Sequence, residues 1–319
     1  MTDPSTYTVP ERILSVPDFL SPVARMYLMK QPEKPPYPAL DDLDAWSAFV
    51  VATDAAVLPL LQQISGHAAA DVTERDAGGA KVFELVPPGL DPADRTVILE
   101  MHGGALLFCA GELCKLMAMG TTARLGRRVW SVDYRMPPAD PFPAGLDDCI
   151  AAYRALLAER EPGEIIVSGG SAGGNLAAAL MLRARDEGLP MPGGLILGTP
   201  EIDLTESGDS FNTLAGVDPS LTSLMPVNLL YAKGKDLTHP YLSPLFGDLS
   251  GFPPTILTSG TRDLYLSNTV RMHRALRAAS VEAELHLTEA GPHTGFPGGP
   301  EGAQIDAEVR GFIERVTGA

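Results

Sequence analysis

From about residue 94 onward, short apolar runs alternate with stretches that repeat apolar residues at helical spacing. The runs at 96–101, 165–168 and 195–198 are mostly apolar on both faces, which is typical of buried strands in a parallel sheet. Strands that alternate with amphipathic helices predict an α/β fold with a mostly parallel central sheet and helices on both faces. The predicted strands are 71–76, 81–86, 96–101, 128–134, 165–168, 195–198, 255–259 and 282–288. The predicted helices are 42–65, 113–125, 143–160, 172–186, 222–232, 268–279 and 301–316.

Two regions depart from this alternation. The first forty residues predict no regular element, and the proline-rich stretch 32–38 predicts an ordered arm or loop. Residues 204–245 carry little strand signal and one helical stretch. Because a long insertion between two strands is seldom idle, we expect it to cover the carboxyl edge of the sheet together with the first long helix.

Charge and composition narrow the classes of partner. The chain has 24 Lys and Arg against 40 Asp and Glu, a net charge of −16, and such a field repels a phosphate backbone. We therefore expect no nucleic-acid partner.

No secretion signal opens the chain, and no run reaches the roughly 18 apolar residues of a membrane helix, so we expect no membrane span and a cytoplasmic location. The three cysteines form no C-x-x-C pair and are expected to be buried thiols, with no metal site.

The strongest chemical signal is a G-x-S-x-G motif centred on Ser171. It directly follows a predicted strand and directly precedes a predicted helix. Small neighbours let such a turn tighten until the serine projects above the sheet, where the helix N-terminus faces any developing oxyanion. A glycine-rich phosphate-binding turn is the alternative, but the lysine of a P-loop is missing. We interpret Ser171 as a nucleophile.

A second glycine turn follows the strand 96–101. Its backbone N–H groups at Gly103 and Gly104, together with that of Ala172, are predicted to form an oxyanion hole. His102 opens this turn and is expected to brace it.

A serine nucleophile needs a base, and the base needs an acid that orients it. Of six histidines, His293 lies in a loop beyond the carboxyl end of a predicted strand. Asp263 precedes it and also follows a strand, so the chain order Ser171, Asp263, His293 is that of an α/β-hydrolase. Asp203, Asp209, Asp218 and Asp236 are competing carboxylates, but they lie in or beside the insertion. Of these, Asp203 is the serious rival for the acid, since it follows a strand as well.

These motifs together resemble the hormone-sensitive-lipase-like family of bacterial α/β-hydrolase esterases. The resemblance covers about residues 80–317 and also uses Asp133-Tyr134-Arg135 followed by Pro141-Phe142-Pro143. It implies the α/β-hydrolase fold, a carboxylic-ester hydrolase without cofactor, and a helical cap. The implied division is an N-terminal cap segment 1–65, a core in two parts 66–203 and 239–319, and a cap insertion 204–238.

The chain departs from the family pattern at three positions. Ala105 stands where a third glycine is usual, Gly170 where an acidic residue or threonine is common, and Leu264 where proline is common. None of these changes removes a catalytic group, but they weaken any transfer of substrate preference.

The expected reaction is two-step acyl transfer from a small to medium acyl ester, or from a lactone, through an acyl-enzyme. An amidase or formamidase would use the same groups and stays open, as does a ligand receptor that has lost catalysis. The strand 282–288 is predicted near a sheet edge, where pairing with a second copy would give a homodimer. The predicted substrate pocket consists of Leu106, Phe108, Phe211, Leu214 and Met225.

Overall fold

A computed structural model describes residues 9–29 and 35–318. Its centre is an eight-stranded sheet, in which the order of strands is β1-β2-β4-β3-β5-β6-β7-β8. The strands are β1 (Asp71–Ala77), β2 (Ala80–Val86), β3 (Val97–Met101), β4 (Arg128–Val132), β5 (Ile165–Gly170), β6 (Gly194–Gly198), β7 (Thr255–Gly260) and β8 (Ala283–Thr288). β2 pairs antiparallel with β1 and with β4, and the other neighbours pair parallel. The predicted fold class is confirmed, and every predicted strand is present.

The helices in the described ranges are α1 (Pro22–Tyr27), α2 (Leu43–Ser65), α3 (Glu112–Leu125), α4 (Ala144–Leu157), α5 (Ala172–Asp186), α6 (Ser210–Thr213), α7 (Met225–Ala232), α8 (Leu266–Ala278) and α9 (Pro300–Thr317). They cover both faces of the sheet. On one face α4, α5 and α8 share a buried core with alternate sheet residues, and on the other α3 and α9 do so. The strands are therefore apolar on both sides, as their sequence runs indicated.

The prediction that the first forty residues contain no regular element is wrong for 22–27. Ser21 caps the short helix α1, since its Oγ accepts the Ala24 N–H at 3.1 Å, and Pro22 occupies the first helical position, where its missing N–H costs nothing. Residues 32–34 of the proline-rich stretch lie outside the described residues, and residues 35–38 form no helix or strand, as predicted. In the insertion, α7 begins at Met225 rather than at residue 222, and the one-turn helix α6 was not predicted.

The long helix α2 has two sides with different surroundings. It packs against α3, and it buries Trp46, whose indole N–H donates to the Ala39 carbonyl oxygen at 3.0 Å. Its outer side is exposed, and by length and composition, with 23 residues and an 18-residue stretch of mean hydropathy 1.4, α2 would be able to cross a membrane. Core helices pass the same test, so this is a weak indication. The expected absence of a membrane span is not confirmed and stays a prediction, as does the cytoplasmic location.

The insertion and α2 meet above the loops at the carboxyl edge of the sheet. Their apolar side chains share one buried cluster with residues of those loops, namely Trp46, Leu107, Leu221, Leu224, Val227, Leu230, Leu264 and Tyr265. At the far edge of the sheet, β8 pairs only with β7 among the described strands, so the predicted edge position is confirmed. Pairing of this edge with a second copy stays a prediction.

Candidate active site

The turn between β5 and α5 places Ser171 at the carboxyl edge of the sheet. Ser171 has φ 55°, a left-handed conformation that non-glycine residues adopt at an energetic cost. Its N–H donates to the Gly198 carbonyl oxygen at 2.8 Å, and its carbonyl oxygen accepts the Glu201 N–H at 3.0 Å. A Cβ at Gly173 would collide with the Met101 carbonyl oxygen. The glycine at this position of the motif therefore lets α5 begin directly against β3.

The structure brings the three predicted catalytic side chains into one hydrogen-bonded chain. His293 Nε2 lies 2.9 Å from Ser171 Oγ, and His293 Nδ1 lies 3.0 Å from Asp263 Oδ1. Asp263 is fully buried. Its Oδ1 also accepts the Tyr265 N–H at 2.9 Å, and its Oδ2 accepts the Ser259 hydroxyl at 2.6 Å. These donors satisfy the ionised carboxylate and fix its orientation toward the imidazole.

Charges around the imidazole oppose the effect of its burial. Burial by itself lowers the pKa of His293, but the Asp263 carboxylate, followed by Asp218 and Glu201, outweighs it, so the pKa of His293 lies above its ordinary value. These carboxylates therefore stabilise the imidazolium that would form if His293 takes up a proton.

The rival acid Asp203 does not reach the imidazole. It is fully buried, but it accepts the Thr205 N–H and hydroxyl and the Ser207 hydroxyl. Its Oδ2 also forms an ion pair with Arg271 at 2.6 Å. The carboxylate that contacts His293 through a side-chain hydrogen bond is that of Asp263.

The predicted oxyanion turn follows β3 and lies beside Ser171. Gly104 has φ 126°, and a Cβ there would collide with the Phe108 carbonyl oxygen. A Cβ at Gly103 would lie 3.7 Å from the Ser171 Cβ. Within the described ranges, the N–H groups of Gly103, Gly104 and Ala172 have no hydrogen-bond partner. Ala105 has φ 56°, so the turn keeps a glycine-like backbone where the family has a third glycine.

The residues after β4 hold this turn in place. The Tyr134 ring stacks on His102 with centroids 4.1 Å apart, and its hydroxyl donates to the His102 carbonyl oxygen at 2.8 Å. Arg135 forms a bidentate pair with the buried carboxylate of Asp148. Burial lowers the pKa of His102 to about 4, so this ring stays neutral at physiological pH.

One group of side chains in the described ranges has the composition of a metal site. His102, Cys114 and Asp133 each bring a ligand atom to within 4.8 Å of the others. Hydrogen bonds already engage all three residues: His102 Nδ1 contacts the Gly103 carbonyl oxygen, Cys114 Sγ contacts Ser131, and Asp133 accepts the Gly111 N–H. We assign them to the support of the oxyanion turn. Burial raises the pKa of the Cys114 thiol well above its ordinary value, which disfavours the thiolate that metals bind.

The predicted pocket residues fall into two groups. Leu106 is 1% exposed and packs in the main core. Its assignment to the pocket is therefore wrong. Phe108, Phe211 and Leu214 are partly exposed and pack on the cluster between α2 and the insertion, and Met225 is partly exposed at the start of α7. Their role as a pocket stays a prediction.

Three side chains near the triad escaped the sequence analysis or were set aside there. Tyr265 packs edge-on against the His293 ring with centroids 4.9 Å apart. Glu201 is 1% exposed, and burial raises its pKa to about 7 against the opposing effect of Tyr265 and Asn228. Asp218 accepts the backbone N–H of His293. The sequence feature that marks Glu201 and Asp218 is an acidic residue among apolar neighbours, since buried acids are rare.

Comparison with known proteins gives consistent matches. A family model described as an α/β-hydrolase fold matches residues 98–297. An acetyl-hydrolase of Streptomyces hygroscopicus is 32% identical over 70% of this chain and 77% of its own length. A crystal structure of an esterase superposes with a TM-score of 0.87 at 32% identity, covering 97% of this chain and 98% of that one. An esterase from the bacterial hormone-sensitive lipase family superposes with a TM-score of 0.74 at 29% identity, over 89% and 93%.

The fold, the serine turn, the oxyanion turn and these similarities all agree with the resemblance drawn from the motifs. The chain belongs to the α/β-hydrolase family, within its bacterial hormone-sensitive-lipase branch, and is a carboxylesterase-type hydrolase.

Proposed function

We propose that this protein hydrolyses carboxylic esters in two steps, with Ser171 as nucleophile, His293 as base and Asp263 as orienting acid. The observation that carries the proposal is the continuous hydrogen-bonded chain from Ser171 Oγ through the imidazole to a fully buried carboxylate. His293 Nε2 takes the serine proton as Oγ attacks the ester carbonyl carbon. The Asp263 carboxylate holds the Nδ1–H and stabilises the imidazolium that forms.

The alcohol leaves with the proton that His293 Nε2 received, and an acyl-Ser171 ester remains. Water then gives a proton to His293 and attacks the acyl carbonyl, and Ser171 Oγ leaves with that proton as the acid is released. The N–H groups of Gly103, Gly104 and Ala172 would donate to the oxyanion that forms in both steps. Loss of one such donor costs on the order of 3 kcal/mol of transition-state stabilisation.

We further propose that α2 and the insertion form a cap on the core, as the division 1–65, 66–203, 204–238 and 239–319 implied. Their shared apolar cluster includes Leu107, which follows the oxyanion turn, and Leu264 and Tyr265, which follow Asp263. Partly exposed Phe108, Phe211, Leu214 and Met225 would face the acyl or alcohol group of a small to medium ester. The size of the acyl group that fits is then set by the cap rather than by the core.

The experiment is hydrolysis of p-nitrophenyl esters from acetate to dodecanoate by the wild type, by Ser171→Ala and by Ser168→Ala. Ser168 is a matched control because it is a largely buried serine of the same strand, three residues before the turn. We expect Ser168→Ala to retain most activity and Ser171→Ala to lose at least about a thousandfold in kcat. An active Ser171→Ala enzyme would contradict the proposed nucleophile. If no ester is hydrolysed while a serine-directed phosphonate labels Ser171, the nucleophile stands and amides replace esters as substrates.

A further inference from the structure

A single buried carboxylate of the insertion connects its own loop with both loops that carry the acid and the base. Asp218 is 4% exposed. Its Oδ1 accepts the Ser220 N–H at 2.8 Å, the Ser220 hydroxyl at 2.7 Å and the Leu221 N–H at 3.2 Å. Its Oδ2 accepts the Leu264 N–H at 2.9 Å and the His293 N–H at 3.1 Å. The two oxygens therefore serve different purposes, one local and one between loops.

The Oδ2 contacts lie where small displacements matter most. Leu264 directly follows Asp263, and the other donor is the backbone of His293 itself, so one oxygen atom fixes the separation of the two loops. That constraint is independent of the side-chain hydrogen bond between His293 and Asp263. A shift of about 1 Å in such a constellation costs on the order of a hundredfold in rate, so support of this kind has kinetic consequences.

Asp218 also contributes charge to the site. Within the described ranges, no Lys or Arg pairs with it, and N–H and O–H donors alone balance its charge. The groups that face His293 are the carboxylates of Asp263, Asp218 and Glu201, the Ser171 hydroxyl and the Tyr265 ring. Asp218 is therefore one of the carboxylates that raise the pKa of the imidazole.

We propose that Asp218 is a positioning residue, through which the insertion holds Asp263 and His293 at their working separation. The inference rests on the proposed triad, because it concerns the support of that acid and base. It makes the insertion part of the catalytic assembly and not only a wall of the substrate pocket.

The competing interpretation is that Asp218 merely shapes its own loop. Asp203 provides the matched control for that interpretation. It is a buried carboxylate directly before the same insertion, it accepts hydrogen bonds from Thr205 and Ser207, and it pairs with Arg271. None of its hydrogen bonds reaches the loops of Asp263 or His293 in the described chain. A loop-shaping role predicts similar consequences for both carboxylates.

The experiment compares Asp218→Asn with Asp203→Asn, and uses Ser171→Ala in parallel. An amide at 218 has one acceptor atom where the carboxylate has two, so one set of N–H donors faces an NH2 group. We expect both asparagine variants to lower Tm, but only Asp218→Asn to reduce kcat, by about 10- to 100-fold, with KM within about threefold of wild type. Loss of its charge also moves the acidic limb of kcat/KM to lower pH, by about half a unit.

Asp218→Glu keeps the charge but displaces it, and serves also if the asparagine variant folds poorly. We expect its kcat to fall while its acidic limb stays near that of the wild type. Equal kcat losses in Asp218→Asn and Asp203→Asn, with an unmoved acidic limb, would overturn the positioning role. Retained activity in Ser171→Ala would instead overturn the proposed triad, so the two failures are distinguishable.

Discussion

The Ser171 turn and the insertion lie side by side at the carboxyl edge of the sheet, but they are held in place by different kinds of contact. In the turn, a few consecutive residues contact backbone atoms of β3 and β6. These contacts are possible because the glycines of the turn carry no side chain. In the insertion, polar side chains reach backbone groups that are distant in sequence. Asp218 contacts residues 46 and 75 positions away, and the Ser210 hydroxyl donates to a carbonyl oxygen 54 positions away.

This difference determines which parts of the site tolerate substitution. Contacts between backbones leave no room for a Cβ, so substitutions there act on folding itself. Contacts from a side chain to a distant backbone can be lost one at a time, and the loss adjusts geometry or charge while the fold persists.

The largest effect is expected from Gly173→Ala. Glycine to alanine inside a helix normally stabilises by about 1 kcal/mol, but here the new Cβ would collide with the Met101 carbonyl oxygen of a central strand. We expect a loss of more than about 4 kcal/mol in the free energy of unfolding, measured by urea titration, or too little folded protein to assay. Gly170→Ala is the control, since its Cβ would meet the Gly198 carbonyl oxygen at an ordinary 3.7 Å. Equal stability of the two variants would show that the backbone contacts of the turn leave room for a Cβ, and the turn would then tolerate change as the insertion does.

The same division explains what was predictable from the sequence. The Ser171 turn, the turn after β3 and the buried strands were recognisable because local patterns specify them: glycines at fixed spacing, and apolar runs of strand length. The three side chains of the proposed triad were placed by strand ends and chain order, and the structure brings them within hydrogen-bond distance.

The insertion was not predictable in the same way. Asp218 was set aside as a competing carboxylate, and Glu201 was not considered, because nothing local marks an acid whose partners lie on other loops. The short helix α1 was missed because only its proline and its serine cap identify it. Leu106 was assigned to the pocket by its position after the oxyanion turn, but its left-handed backbone directs it into the core.

At the junction of the two regions, Glu201→Gln is expected to change how stability depends on pH. The pKa of Glu201 is raised by burial to about 7, so the folded state holds a proton that the unfolded chain releases near pH 4.5. Stability is therefore full below that pH and falls as pH rises toward 7, by on the order of 3 kcal/mol. We expect Glu201→Gln to flatten the fall of Tm between pH 4.5 and 8, whereas the exposed control Glu289→Gln keeps it. An unchanged slope would show that Glu201 ionises freely in the folded state.

The acidic limb of the pH–rate profile tests the base. As the proposed base, His293 would act only when neutral, and its pKa is raised by Asp263, Asp218 and Glu201 against the effect of burial. Protons therefore inhibit from a pH above the ordinary 6.5 of histidine, and kcat/KM falls about tenfold per pH unit below that point. His273→Gln, in helix α8, is expected to leave the limb in place. A profile without an acidic limb between pH 5 and 8 would exclude His293 as the base.

The smallest effect is expected at the contact of α2 with the core. Asp54 Oδ1 accepts the Cys109 N–H at 3.0 Å, which ties the helix to the loop after the oxyanion turn. Asp54→Asn keeps an acceptor but loses the charge-assisted part of the hydrogen bond, so we expect kcat/KM for a p-nitrophenyl ester to fall by about two- to fivefold. Asp44→Asn, at the exposed start of the same helix, is the control. If Asp54→Asn alone reduces kcat/KM, α2 acts on the turn through a side chain, as the insertion acts on His293. If both variants match the wild type, α2 covers the site without acting on the oxyanion turn through a side chain, and only the insertion acts in that way.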